Sequence, residues 1–128
     1  MSTPFTIIVH PDHYAVCQLS NIPSIDDTHF HSVAVTQDEI SCVCREVVMP
    51  DNTIQTEKGW RLMQIKGVLH FAAIGILSKI SFIMAQAKVS IYVISTYNTD
   101  YVLVKDTFLD TALLALSRYD YKIEMASS

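Results

Sequence analysis

Hydrophobic residues follow two different rhythms along this chain. In the first part the runs are short and β-prone. Thr6-Ile-Ile-Val-His10 and Tyr14-Ala-Val-Cys-Gln-Leu19 predict two short strands, with Pro11-Asp12 as turn chemistry between them. Asn21 to His29 carries Pro, Ser, Asp and Thr and reads as a loop, and Phe30 to Val35 as a further strand. Thr36-Gln-Asp-Glu39 has the spacing of a capping box, a threonine followed three residues on by a glutamate. It predicts a single helical turn, because Ser41-Cys-Val-Cys44 is β-prone again. Met49-Pro-Asp-Asn-Thr53 has the composition of a linker.

Beyond that linker the periods are cleaner. Trp60 to Lys66 alternates, with Met63 and Ile65 on one face and Gln64 and Lys66 on the other. Ile76, Leu77, Ile80, Ile83, Met84 and Ala87 recur at helical spacing, the core face of an amphipathic helix. Val89–Ile94 and Tyr101–Val104 read as paired strands. Asp106 is placed to cap a second helix whose core face is Leu109, Ala112, Leu113 and Leu116. Arg118 falls in its last turn, where a cation suits the helix dipole. Lys122–Met125 can form a last strand. The order is β-α-β-β-α-β. Two right-handed crossovers then give a four-stranded antiparallel sheet with both helices on one face. The expected fold is therefore α+β and ferredoxin-like, with a division at 1–52 and 53–128.

Composition narrows the function classes. Half of the 128 residues are hydrophobic and 17% are charged, which suits a globular chain with a real core rather than a disordered one. A net charge of -4 with nine Lys and Arg offers no phosphate-binding footprint, so no nucleic acid partner is expected. The most apolar region, Val68 to Ile94, is interrupted by His70, Lys79, Gln86 and Lys88, so no membrane span is expected. The start of the chain lacks the basic residue of a secretory signal. Cys17, Cys42 and Cys44 are odd in number and read as reduced, buried thiols, consistent with a cytoplasmic protein. His10-Pro-Asp-His13, His29-Phe-His31 and Cys42-x-Cys44 resemble fragments of metal sites. Spacing supplies no further ligand, so neither metal nor cofactor is expected.

The stretch Ser95-Thr-Tyr-Asn-Thr-Asp-Tyr-Val-Leu-Val104 is over-furnished for a hairpin, which needs about two turn residues. Together with Tyr14-Ala-Val-Cys-Gln-Leu19, Thr36–Cys44, Gly59-Trp60 and Gly75-Ile-Leu77, it resembles the ACT-domain proteins related to the cytosolic arginine sensors of the target-of-rapamycin pathway. The resemblance runs from about Tyr14 to Leu116, and the Ser-Thr-Tyr-x-Thr-Asp-Tyr string is its most specific part. It implies an aspartate-kinase-like ACT domain preceded by an abbreviated ACT-like unit. It also implies an amino acid bound at an interface between units, and association into dimers or with a regulatory partner. The residues matching the family's ligand elements are Gly75 and Ile76 in the helix-start loop, and Ser95, Thr96, Thr99 and Asp100 in the hairpin. The family's loop usually carries an acid and a hydroxyl. Here His70 and Ala72 stand in their places.

The chemistry of these residues fits a grip on a free amino acid. A helix start presents unpaired N–H groups and partial positive charge to a carboxylate, and Gly75 lets a ligand approach the backbone. Asp100 can pair with an α-amino group, with Thr96 or Thr99 adding hydroxyl contacts. The same aspartate and threonines can instead bond their own turn. His70 stands beside this candidate pocket as a ligand contact or a general base. Three functions follow. The first is a non-catalytic sensor or regulatory module. The second is a small enzyme on the same scaffold, although no nucleophile–base motif is legible. The third is an interaction protein with a vestigial pocket.

Overall fold

The computed structural model describes residues 5–25, 27–67 and 75–127. His70 and Ala72 lie outside the described residues. The chain divides into two compact units, residues 1–11 with 61–128, and residues 12–60. The smaller unit is thus inserted in sequence within the larger one. The Met49–Thr53 stretch lies inside it.

Two long strands belong partly to each unit: β1, Thr6–Leu19, and β4, Thr53–Ile65. The Pro11-Asp12 turn expected between two short strands does not form, and β1 runs straight through it. The reason lies in the partners of β1. On one side it pairs with β7, Lys122–Met125, through Thr6–Val9, and with β3, Ile40–Arg45, through Tyr14–Leu19. Pro11 falls in the gap between these two ladders, where its missing N–H breaks no bond on that side. In β4 the matching irregularity is Gly59, whose φ of +81° belongs to the left-handed region. Its N–H donates to Glu46 Oε2 at 2.7 Å.

The larger unit contains α1 (Ile76–Gln86), β5 (Tyr92–Ser95), β6 (Asp100–Lys105), a short 3-10 turn over Asp106–Phe108, α2 (Leu109–Arg118) and β7. The β-α-β-β-α-β order read from periodicity is present. The sheet, however, is not the expected four-stranded one. Its order is β5-β6-β4-β1, with β7 parallel to β1 on the side away from β4. The first segment of the chain thus lies beside β4, and the last strand pairs with that segment. Alternation along each strand puts Ile7, Val9, Met63, Ile65, Val102 and Val104 on one face, all buried against Ile80, Ile83, Met84, Leu109, Ala112 and Leu116 of the helices. Full burial of one such side chain contributes about 1.5–3 kcal/mol. Asp106 does not cap α2. Its carboxylate pairs instead with Arg61 at 3.2 Å.

The smaller unit has the order β2-β3-β1-β4, with β2 spanning Ser32–Val35. The expected capping box at Thr36–Glu39 starts no helix. Thr36 Oγ1 does accept from the N–H groups of Asp38 and Glu39, both at 3.1 Å. But Ile40 onward enters β3 and pairs with β1, so the same local bonds close a β-hairpin. Serine and threonine side chains bond nearby N–H groups in turns as readily as at helix starts. Tertiary pairing decides which.

Candidate functional site

The β5–β6 hairpin of the larger unit contains most of the residues singled out from the sequence. Ser95 and Asp100 are register partners, and Ser95 Oγ donates to Asp100 Oδ1 at 2.5 Å. Between them Thr96–Thr99 make the turn. The Thr96 N–H and hydroxyl both donate to the Thr99 carbonyl oxygen, at 2.9 and 3.0 Å. The Thr99 hydroxyl points inward, 4% exposed as a residue, and donates to the Ile65 carbonyl oxygen at 2.8 Å. Tyr97 stands at the turn tip, 80% exposed.

That Thr99–Ile65 bond fixes where the turn sits. Ile65 is the last residue of β4, so the turn lies at the end of the sheet from which the chain leaves for α1. Gly75 occupies the N-cap of α1 with φ +82°, and the Lys79 N–H donates to its carbonyl at 2.9 Å. The positive φ explains this glycine directly, since an L side chain there would be strained. No side chain caps α1, and its first turn contains no acidic residue. The start of α2 differs, with Asp110 in its first turn. The N–H groups at Ile76 and beyond are therefore unneutralised by the helix's own side chains. Gly75 and Ile76 thus open α1, and Ser95, Thr96, Thr99 and Asp100 belong to one hairpin.

Two features escaped the sequence reading. The smaller unit has a hairpin of the same construction. A four-residue strand leads to a turn opened by Thr36, then a six-residue strand and a three-residue 3-10 turn. In the larger unit Thr96 opens the corresponding turn, between strands of the same lengths and ahead of a 3-10 turn of the same length. In both, the threonine N–H donates to the carbonyl three residues on at 2.9 Å. The constant 60-residue spacing between the hairpins was the available signal. The second feature is an ionic cluster in the smaller unit. Arg45 forms a two-pronged bond to Asp27, Nε to Oδ2 at 3.1 Å and Nη2 to Oδ1 at 2.9 Å. The His29 amide and ring both lie 3.2 Å from Oδ1, and Asp12 stands 3.9 Å from Arg45. The Arg45 guanidinium holds the Asp27 carboxyl well below the usual carboxylate range, against the opposing effect of burial and with help from His29.

Among the described residues, no helix is long and apolar enough to cross a membrane. No curated protein matches the sequence. Several solved structures share the fold. A crystal structure of a protein from Agobacterium tumefaciens is 23% identical with a TM-score of 0.88, covering 99% of this chain and 97% of that one. A protein of unknown function from Vibrio cholerae, a possible transport protein, is 16% identical with a TM-score of 0.68, covering 90% and 89%. The regulatory subunit of aspartate kinase from Thermus flavus is 11% identical with a TM-score of 0.63, covering 91% and 98%. A family model for an N-terminal domain matches residues 12–52. The family model of the ACT domain matches residues 55–118, taking in α1, the β5–β6 hairpin and α2. The chain belongs to the ACT-domain family.

Proposed function

We propose that this protein is a non-catalytic regulatory module that binds a free amino acid at the hairpin end of its larger unit. One observation carries the reading. The hairpin bearing Asp100 is tied through Thr99 to the last residue of β4, and α1, the next described element of the chain, starts uncapped and without acid. The helix start supplies N–H groups for an α-carboxylate. Asp100 supplies the counter-charge for an α-amino group, and Ser95, already hydrogen-bonded to it, holds that carboxylate in place. Thr96 and Thr99 shape the turn, and the Thr96 hydroxyl oxygen is the one left to meet a ligand. His70, which precedes α1 in the sequence, would complete the pocket. A charge-assisted contact of this kind contributes about 1.5–3 kcal/mol. The matching hairpins support reading residues 12–60 as an abbreviated ACT-like unit. A second copy of the chain or a regulated protein would receive the signal.

Isothermal titration of the full chain against each proteinogenic amino acid tests the reading. Saturable binding of one or a few is expected, and heat changes at blank level for all of them would refute it. A second reading, an interaction protein whose pocket is closed, is favoured by the internal bonding of Ser95, Thr96 and Thr99. It predicts no thermal shift with any metabolite, together with a stable protein complex.

A further inference from the structure

The smaller unit assembles a set of metal-ligating side chains that lie in separate motifs of the sequence. Cys42 and Cys44 are alternate residues of β3 and share one face of the sheet. β2 pairs antiparallel with β3, with Val33 opposite Cys42 and Ser32 opposite Val43. Extending that register by one residue sets His31 opposite Cys44, on the same face as both thiols. One ring nitrogen of His31 and the two sulfurs all lie within 4.8 Å of one another. Both thiols are free and buried, Cys42 1% and Cys44 0% exposed.

The histidine is what distinguishes this cluster from ordinary core cysteines. Both His31 ring nitrogens are buried, and neither has a hydrogen-bond partner among the described residues. A buried imidazole with two unsatisfied nitrogens is costly. The two thiols beside it belong to a small apolar core with Ala15, Cys17 and Leu19, against which Val33 packs. A cation bound to one nitrogen would remove part of that cost.

We propose that His31, Cys42 and Cys44 form a binding site for a thiophilic divalent cation of the Zn²⁺ class. Thiolate and imidazole donors select soft or borderline metals, whereas Mg²⁺ and Ca²⁺ require oxygen ligands absent from this set. Charge points the same way: two thiolates neutralise a divalent cation, and a neutral complex is the one a buried site tolerates. Binding forms two metal–sulfur bonds and one metal–nitrogen bond, and releases the two thiol protons to solvent, so affinity rises with pH. Zinc sits about 2.3 Å from sulfur and about 2.0 Å from nitrogen. Small side-chain rotations bring atoms already within 4.8 Å into that range. Three protein ligands leave one position open for an exchangeable fourth. The role would be to brace the β2–β3 hairpin against β1.

Cobalt replaces zinc with a visible spectrum, so Co²⁺ titration of the reduced full-length protein is the test. The expected result is one equivalent bound, a thiolate-to-cobalt charge-transfer band, tetrahedral d–d absorption, and displacement by Zn²⁺. Cys42→Ser, Cys44→Ser and His31→Gln should each weaken binding by more than the roughly 10–100-fold that loss of an outer-shell partner costs. Cys17→Ser, a change in the same core outside the triad, should leave the bands in place. For variants that do not fold, mapped alkylation of the wild type gives a second readout, in which Zn²⁺ should protect Cys42 and Cys44. Absence of the charge-transfer band, unprotected Cys42 and Cys44, or a folded Cys17→Ser protein as impaired as Cys42→Ser would each overturn the assignment.

Discussion

The hydroxyl of Thr99 donates to the carbonyl oxygen of Ile65 across 2.8 Å, inside the core of the larger unit. It ties the β5–β6 turn to the last residue of β4 and so sets the hairpin beside the exit toward α1. Thr99→Val keeps the shape and leaves the Ile65 carbonyl without this donor. The expected cost is about 1–3 kcal/mol, read as a lower denaturant midpoint at unchanged m-value. Thr99→Ser should recover most of it. Equal stability of Thr99→Val and wild type would show that the bond contributes nothing net.

Asp100 separates a ligand grip from a self-bonded turn. Its observed side-chain bond is to Ser95, an exposed contact at the hairpin edge. Asp100→Ala should therefore alter stability by no more than about 0.5 kcal/mol, the usual range for surface changes. Amino-acid affinity should fall roughly 10–150-fold, the equivalent of a charged hydrogen bond. Paired calorimetry and denaturation read both quantities. Lost stability with intact affinity would assign Asp100 to the turn alone.

The Asp27–Arg45 pair predicts an acid-sensitive smaller unit. The folded protein holds the Asp27 carboxyl below its unfolded value, chiefly through Arg45. Its stabilisation is then fully present above the unfolded value, about 3.9, and is lost as pH falls from there toward the folded one. Arg45→Gln should lower the melting temperature at neutral pH and flatten the acid-side decline relative to wild type. Melting curves between neutral pH and about pH 3 compare the slopes. Parallel slopes in the two proteins would rule the pair out as a source of the pH dependence.

Gly59 combines a left-handed φ with an N–H that bonds Glu46. A Cβ added there would meet nothing within 4 Å, so the cost of Gly59→Ala is conformational rather than steric. It should be about 1–2 kcal/mol. Glu46→Gln should cost less, since an amide oxygen can still accept from Gly59. Thermal denaturation of the two variants gives the order, and a neutral Gly59→Ala would contradict the strain argument.

Much of the larger unit could be read directly from residue periods. Ile80, Ile83 and Met84 are buried, as helical spacing demands, and so are Leu109, Ala112 and Leu116. Met63 and Ile65 face the same core because strand alternation leaves a one-residue slip no apolar face to bury. The hairpin at 95–100 was equally legible, since two β-prone runs flank a polar turn. Each of these depends on contacts near in sequence, and local spacing is enough to specify them.

Pairing between distant segments was not legible. Nothing in Thr6–Val9 announces that it will lie between β4 and β7, because any apolar strand fits that slot by composition. Pro11 reads as a turn until the partners on either side are known. Thr36–Glu39 makes the same local bonds in a helix cap and in a hairpin, and only β3 pairing with β1 decides between them. His31 meets Cys42 and Cys44 through the register of β2 on β3, a relation that strand alternation allows but does not name. By itself, then, the sequence determined which faces of the larger unit are buried, where its two α-helices run, and where the polar turn lies. Tertiary structure alone decided which strands are neighbours and which side chains converge. Burial needs only the period of one element, whereas convergence needs the register between two.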